Sequence, residues 1–185
     1  MRAIDPEHVR ASLQASPPRA SPFAVGRPSA VLAALFDQGG EPRVWLVRKS
    51  AHLRSHGGQV ALPGGKPEGA DATLLDTALR EAHEEIGLPP RAVEVLGALD
   101  PYTTITGYVV TPYVAWVTEG FTPVADEREV ARVFHAPLAL FATPPAPRPV
   151  QLLSFRAPMP SHLVDGETVW GATLAILSQL AEKVG

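Results

Sequence analysis

The chain has 185 residues, a formal net charge of −3 at pH 7 and no cysteine. This length is enough for one domain with a sizeable core, and the lack of cysteine excludes disulfides and thiolate metal sites. There is no basic run and no apolar run of about 20 residues, so the sequence predicts neither a nucleic-acid partner nor a membrane span. The N-terminus also lacks the apolar core of a signal peptide, and we therefore expect a soluble, cytoplasmic protein.

The first 28 residues predict a helix and an extended lead-in to the main domain. Asp5 is a typical helix cap and Pro6 suits the first helical position, which predicts a helix that ends near residue 15. Prolines then favour an extended connection up to residue 28. Residues 29–36 form a continuous apolar run that predicts a buried strand, and residues 43–48 predict its hairpin partner.

A tight glycine turn precedes the most informative segment, a helix predicted over residues 73–86. Thr73 with Asp76 three residues later resembles a capping box, and Gly87 followed by prolines is a typical stop. At about 100° per residue, one face of this helix is apolar and another is acidic. The apolar face comprises Leu75, Ala78, Leu79, Ala82 and Ile86, and the acidic face, which we expect to line a cleft, comprises Glu81, Glu84 and Glu85.

The remaining segments predict further strands with helices between and after them. We predict strands at residues 59–62, 93–99, 109–117, 130–134 and 150–155, a short helix at 137–141, an irregular surface segment at 142–149 and a terminal amphipathic helix at 170–183. Strands in this order, with helices before, between and after them, favour an α/β fold, namely an α/β/α sandwich with a mixed β-sheet. We place it as a single domain over residues 29–185, preceded by residues 1–28.

Three carboxylates, those of Glu81, Glu84 and Glu85, crowd one turn of the predicted helix. Like charges so placed cost about 0.2–0.5 kcal/mol per pair. A bound hard cation reverses that cost, and without cysteine the candidates are oxygen-ligated ions such as Mg²⁺ or Mn²⁺, which bridge phosphate oxygens. The planar fork of Arg80 could brace a carboxylate or the glycine turn. The alternative is that the acids form a solvated face.

The stretch over residues 65–88 resembles the Nudix box, Gly-x5-Glu-x7-Arg-Glu-U-x-Glu-Glu-x-Gly-U, where U is aliphatic. Residues 80–88 match its second half, with Ala82 at the first U position. The first half departs from it, because Asp71 stands at the glutamate position and eight residues, not seven, separate it from Arg80. The resemblance implies a pyrophosphatase that cleaves a nucleoside diphosphate linked to another group. It uses Mg²⁺ or Mn²⁺, which would be held by Glu81, Glu84 and Glu85.

The residues just before the box resemble a signature of coenzyme A pyrophosphatases within this family, Leu-Leu-Thr-x-Arg-[Ser/Ala]-x3-Arg-x3-Gly-x3-Phe-Pro-Gly-Gly. The matching residues are Ser50, Arg54, Gly58, Pro63, Gly64 and Gly65, whereas Trp45, Val47, Lys49 and Leu62 replace the Leu, Thr, Arg and Phe. Coenzyme A carries a diphosphate and a 3′-phosphate, which nearby cations would bind. The resemblance implies cleavage of coenzyme A or acyl-coenzyme A to (acyl-)4′-phosphopantetheine and adenosine 3′,5′-bisphosphate. The substrate-binding residues would be Arg48, Lys49, Ser50, Arg54, Gly64, Gly65 and Lys66.

Alternatives stay open at this stage. The general base is Glu81, Glu84 or a loop carboxylate such as Glu129, and Arg80 completes the predicted catalytic set. The substrate could instead be ADP-ribose, NADH or a dinucleoside polyphosphate, and a regulator on the same fold could bind a nucleotide without turnover. The sequence also leaves a homodimer open.

Overall fold

The computed structural model describes residues 4–19, 25–53, 56–152 and 155–185. Within these ranges the α-helices are α1 Pro6–Ala15, α2 Leu74–Ile86 and α3 Gly171–Val184. The strands are β1 Arg27–Gln38, β2 Glu41–Lys49, β3 Val60–Ala61, β4 Gly64–Gly65, β5 Val93–Ala98, β6 Tyr102–Thr103, β7 Tyr108–Val117, β8 Val130–Pro137, β9 Ala146–Leu152, β10 Phe155–Val164 and β11 Glu167–Trp170. Short 3₁₀ helices lie at Pro90–Ala92 and Leu138–Ala142. Within the same ranges, no helix combines the length and the apolar character that crossing a membrane requires.

Strand β1 is the centre of a mixed eight-stranded sheet. It pairs in parallel with β7, from Arg27 opposite Tyr108 to Leu35 opposite Trp116, and forms an antiparallel hairpin with β2. The strand order is β3-β2-β1-β7-β5, and β4, β6 and β8 attach to β1, β7 and β2, respectively. The predicted hairpin and the mixed sheet of an α/β fold are therefore confirmed, with strands longer than predicted.

Alternate residues of β1 face two separate apolar cores, because successive side chains of a strand point to opposite faces. The core on one face includes Ala30, Leu32, Ala78, Ala82 and Ile86, so α2 covers this face. The core on the other face includes Val9, Leu13, Ala33, Leu35 and Leu177, so α1 and α3 cover it. This arrangement confirms the α/β/α sandwich, and it places the predicted acidic helix against the middle of the sheet.

Helix α2 begins and ends where its local sequence predicts. The Asp76 amide donates to Thr73 Oγ1 at 3.2 Å and the Thr73 amide donates to Asp76 Oδ2 at 2.8 Å, which completes a capping box. Gly87 follows the helix with φ 73°, a left-handed conformation that glycine adopts without strain. The predicted acidic face is wrong in one respect. Glu85 does not line an open cleft but is buried, with 1% of its surface exposed, and it pairs with a lysine of β2.

A second, three-stranded sheet contains β9, β10 and β11 in the order β11-β10-β9. The prediction that residues 142–149 are irregular is wrong for their second half, because Ala146–Leu152 forms β9 and pairs antiparallel with β10. The strand predicted at residues 150–155 combines the end of β9 with the start of β10. Residues 153–154, between them, lie outside the described residues. Most of β10 and all of β11 were not predicted.

Prolines explain why this sheet escapes prediction. Pro147 and Pro149 of β9 stand opposite Pro160 and Pro158 of β10. Proline cannot donate to a strand ladder and is confined to strand edges or strand ends. Strand β11 pairs with β10 only over residues 161–164, so, in the part of the chain that the structure describes, both prolines of β10 lie where that side of the strand has no paired strand.

Candidate active site

The Gly64-Gly65 turn brings the backbone of β4 close to β1 and α2. Gly64 pairs with Val31, and Gly65 pairs with Ala30. A Cβ at Gly64 would overlap the Ala30 carbonyl oxygen and lie 2.7 Å from the Val31 Cα. A Cβ at Gly65 would overlap the Glu81 carboxylate. Gly64 therefore needs glycine for close approach to the backbone of β1, and the lack of a side chain at Gly65 makes room for the Glu81 carboxylate.

Arg80 joins the helix to the glycine turn and to the loop between them. Its Nη2 donates to the Lys66 carbonyl oxygen at 3.0 Å, and its Nη1 donates to Glu84 Oε2 at 2.8 Å. The same Nη2 lies 3.0 Å from Asp71 Oδ2 and 3.2 Å from Glu81 Oε1. The guanidinium thus braces both the carboxylates and the residue that follows the turn, which its five donors in a planar fork allow.

Asp71 accounts for the irregular first half of the box. Its carboxylate accepts hydrogen bonds from Arg80 Nε at 3.1 Å, from Thr77 Oγ1 at 3.0 Å and from the Glu68 amide at 2.9 Å. The hydrogen bonds from Arg80 are the main reason that the pKa of Asp71 falls to about 2. The loop therefore brings Asp71 next to Arg80 despite the extra residue. The hydrogen-bond partners named for Asp71 are all groups of the protein itself.

Lys49 and Glu85 form the most buried ion pair among the described residues. Lys49 Nζ lies 2.5 Å from Glu85 Oε1, and the two side chains are 12% and 2% exposed. Glu85 Oε2 is buried and has no hydrogen-bond partner in this part of the chain. Burial raises the pKa of Glu85 to about 7, although the Lys49 ammonium acts in the opposite direction. No local sequence pattern predicts this pair, because its members are 36 positions apart in the sequence.

Ser50 holds the polar loop that precedes β8. Its amide donates to the Glu129 carbonyl oxygen at 2.8 Å, and its hydroxyl donates to the Glu127 carbonyl oxygen at 3.3 Å. The Asp126 amide donates to the Glu85 carbonyl oxygen at 3.0 Å, which attaches the same loop to α2. Glu129 is exposed, and its carboxylate forms no hydrogen bond or ion pair within the described residues. The structure therefore anchors the Glu129 backbone near Ser50 without joining its carboxylate to the acids of α2.

The predicted substrate-binding cations lie on different sides of the main sheet. Lys49 faces α2, whereas the neighbouring Arg48 faces away and pairs at 3.4 Å with a glutamate of β11. Lys66 is exposed, and its Nζ lies 5.5 Å from the ring centroid of Tyr108. Arg54 lies outside the described residues. The structure thus does not group Arg48 with Lys49, and a contact between Arg48 and substrate stays a prediction.

The acids of α2 do not form a preassembled cation cluster. In the described residues, no three acidic or histidine side chains converge closely enough to hold an ion. Glu84 is instead drawn to Arg80, and Glu85 to Lys49. The donor chemistry nevertheless fits a hard divalent cation, because the three glutamates offer carboxylate oxygens and Glu85 Oε2 is buried without a partner. Burial also raises the pKa of Glu81, against the opposing effects of Arg80 and Lys49.

Comparison with known proteins identifies the family. A family model described as NUDIX domain matches residues 26–153. The chain is 38% identical over 161 residues to an uncharacterized Nudix hydrolase, NudL, of Enterobacter sp. strain 638, across 86% of this chain and 83% of that relative. It is 42% identical over 149 residues to the protein of the same name from Yersinia enterocolitica, across 78% of this chain and 75% of the relative. The crystal structure of a Nudix hydrolase from M. smegmatis, RenU, matches with a TM-score of 0.51 and 26% identity, across 60% of this chain and 71% of that one.

The region matched by the family model contains the whole candidate site. It includes the glycine turn, Arg80 and the three glutamates of α2, together with the Lys49 partner from β2. From the family match and the two relatives, we conclude that the chain belongs to the Nudix family and is a Nudix hydrolase.

Proposed function

We propose that the chain is a divalent-cation-dependent pyrophosphohydrolase that cleaves coenzyme A or acyl-coenzyme A. The products are (acyl-)4′-phosphopantetheine and adenosine 3′,5′-bisphosphate. Nudix hydrolases act on nucleoside diphosphate derivatives, and the segment before the box favours coenzyme A among them. The observation that carries the proposal is the meeting of the two motifs. Lys49 of the signature-like segment contacts Glu85 of the box, and Gly65, which ends that segment, lies against Glu81.

The three glutamates of α2, Glu81, Glu84 and Glu85, would hold Mg²⁺ or Mn²⁺, which Nudix hydrolases generally use. When bound, such an ion supplies Lewis-acid stabilisation of charge on the diphosphate. Glu85 suits this role because Lys49 fixes its Oε1 while its Oε2 has no partner in the described part of the chain.

Hydrolysis requires a water molecule to attack one phosphorus of the diphosphate while the bridging P–O bond breaks. The proton of that water passes to a carboxylate base, and Glu81, Glu84 and Glu129 are the candidates. Glu81 lies beside the glycine turn, Glu84 is 53% exposed and shares Arg80, and Glu129 is exposed on the loop that Ser50 holds. Arg80 stays cationic, since its hydrogen bonds to an aspartate raise its pKa, and it can therefore stabilise developing negative charge.

The predicted substrate-binding residues take different roles in this proposal. Lys66 offers an exposed ammonium directly after the glycine turn and would contact the substrate. Ser50 would act by holding the polar loop, because its hydroxyl already donates to a backbone oxygen. Arg48, Arg54 and the glycine turn remain predicted contacts, and for Arg48 the contact requires release from its glutamate partner.

Product analysis tests the substrate. The purified protein is incubated with Mg²⁺ or Mn²⁺ and a panel of coenzyme A, acetyl-coenzyme A, ADP-ribose, NADH and a dinucleoside polyphosphate. We expect adenosine 3′,5′-bisphosphate from the two coenzyme A substrates, with kcat/KM above that for the other compounds. Preferential cleavage of another member of the panel would replace the proposed substrate. Binding without any product would instead favour a nucleotide-binding regulator.

A pair of glutamate variants tests the role of the acidic helix. Glu85→Gln should lower kcat by about 100-fold or more while the protein stays folded, because it removes a charged cation ligand but keeps the shape of the side chain. The control is Glu182→Gln on α3, an exposed glutamate that forms no ion pair in the described residues and should keep wild-type kcat. Full activity of Glu85→Gln would refute the assignment of the cation site.

A further inference from the structure

Two cations converge on one aromatic ring, and one of them, Lys66, directly follows the glycine turn of the candidate site. The Arg27 guanidinium carbon lies 4.2 Å from the centroid of the Tyr108 ring, and Lys66 Nζ lies 5.5 Å from the same centroid. Both distances are within the range of a cation–π contact. Arg27 and Lys66 are exposed, whereas Tyr108 is partly buried and packs against the core that α1 and α3 cover. The ring is therefore anchored by the core, while both charges remain exposed to solvent.

Within the described residues, these two cations have no paired carboxylate, unlike Arg80 and Lys49. Arg80 and Lys49 both pair with carboxylates, but neither Arg27 nor Lys66 forms an ion pair with a carboxylate in the described residues. Arg27 donates one N–H to the Thr106 carbonyl oxygen at 3.3 Å, and most of its five donors have no other partner among the residues that the structure describes. Because both positive charges lie within 5.5 Å of one ring centroid, they repel one another, and a bound anion would offset that repulsion.

The cation pair is connected directly to the turn that holds Glu81. Lys66 follows Gly65 in the chain, and its carbonyl oxygen accepts a hydrogen bond from Arg80 Nη2 at 3.0 Å. Arg27 stands opposite Tyr108 in the parallel pairing of β1 with β7. The backbone of Lys66 therefore belongs to the candidate site, while its side chain reaches out to the ring.

We propose that Arg27 and Lys66, supported by the Tyr108 ring, bind a phosphate monoester of the substrate that is separate from the diphosphate. This inference rests on the proposed function, and under it the group is the 3′-phosphate of the ribose. A dianionic phosphate presents several acceptor oxygens, which suit the planar fork of Arg27 and the point charge of Lys66. The 3′-phosphate and the 5′-diphosphate are attached to the same ribose. A subsite one residue from the glycine turn is therefore a suitable place for the 3′-phosphate.

Kinetic discrimination between coenzyme A and dephospho-coenzyme A tests this subsite. In Arg27→Ala, the ratio of kcat/KM for coenzyme A to that for dephospho-coenzyme A should fall by about 10- to 100-fold, the loss expected for charge-assisted hydrogen bonds. Arg27→Lys keeps the charge but loses the fork, and should give an intermediate ratio. The matched control is Arg156→Ala, because Arg156 is an exposed arginine of β10 and forms no ion pair in the described residues. This control should leave the ratio unchanged.

Titration calorimetry separates this inference from the proposed substrate. Adenosine 3′,5′-bisphosphate should bind wild type more tightly than adenosine 5′-monophosphate does, and Arg27→Ala should remove most of that difference. If both coenzyme A substrates are cleaved but the kinetic ratio of Arg27→Ala equals that of wild type, the subsite is refuted while the proposed function stands. If neither is cleaved, the proposed function fails. Equal binding of the bisphosphate by wild type and Arg27→Ala overturns the subsite in either case.

Discussion

Gly65→Ala should inactivate the enzyme without unfolding it. A Cβ at this position overlaps the nearest Glu81 oxygen and lies 2.9 Å from the Oε2 of the same carboxylate. Ordinary contacts begin near 3.4 Å, so the carboxylate must retreat by roughly 1 Å. A misplacement of that size at a catalytic group costs about 100-fold in rate, and we expect kcat to fall by about this factor.

The stability cost of the same change should be small. Gly65 does not have a left-handed backbone conformation, so alanine is compatible with its φ. The overlapping group is the free end of a side chain rather than backbone. Alanine also lowers the conformational entropy of the unfolded chain, which stabilises a protein by about 0.4–1 kcal/mol. The overlap with the Glu81 side chain and the lower entropy of the unfolded chain have opposite effects on stability. We therefore expect Tm to change by no more than about 4 °C.

Two nearby glycines serve as matched controls. Gly64→Ala would meet backbone atoms of β1, which cannot retreat, so it should destabilise the fold by about 1–3 kcal/mol or more. Gly69→Ala meets nothing within 4 Å and should keep both Tm and kcat. The assay pairs thermal unfolding with kcat on the substrate that the panel identifies. Wild-type kcat in folded Gly65→Ala, or an equal loss of kcat in Gly69→Ala, would refute the reasoning.

Two further predictions concern the charged groups around α2. Lys49→Met should lower the free energy of unfolding of the metal-free protein by about 3 kcal/mol, because it leaves a buried carboxylate without its partner. The double variant Lys49→Met/Glu85→Leu should recover most of this loss in urea titrations, and a single-variant loss below about 1 kcal/mol would contradict the pair. Arg80 lowers the pKa of Asp71 from 3.8 to about 2, so this carboxylate stabilises the fold above its unfolded pKa and loses that effect as pH falls through its folded pKa. Asp71→Asn should therefore lose less stability than wild type as pH falls from about 4 to about 2. If the urea midpoints of the two proteins fall equally across that range, this prediction is contradicted.

Features set by residues close together in the sequence could be predicted. The capping box at Thr73 and Asp76 and the left-handed Gly87 fix both ends of α2, because each depends on contacts within a few residues. The apolar run of β1 predicts a buried strand for the same reason, since its pattern alone requires two covered faces. The position of the acidic helix beside the glycine turn follows from these local signals together with the motif.

Features set by distant residues could not be predicted. Glu84 and Glu85 share a helical turn, and the sequence does not distinguish them. Glu85 is nevertheless buried and pairs with Lys49, whereas the Glu84 side chain is 53% exposed and pairs with Arg80. That difference depends on Lys49 of β2, which is distant in the sequence, so no local pattern encodes it. Asp71 is a similar case, because spacing marks it as a departure from the box whereas the folded loop brings it to Arg80.

The balance of charge around α2 gives a physical reason for a bound cation. Residues four apart form two rows on the helix. The outer row pairs Arg80 with Glu84, which have opposite charges, and the inner row aligns Glu81 with Glu85, which have like charges. Two sets of ion pairs lie here, because Arg80 pairs with Asp71, Glu81 and Glu84, whereas Lys49 pairs with Glu85. Together they contain four carboxylates and two cations. With every carboxylate ionised, two negative charges are left uncompensated in a largely buried group, and one divalent ion carries the charge that would neutralise them.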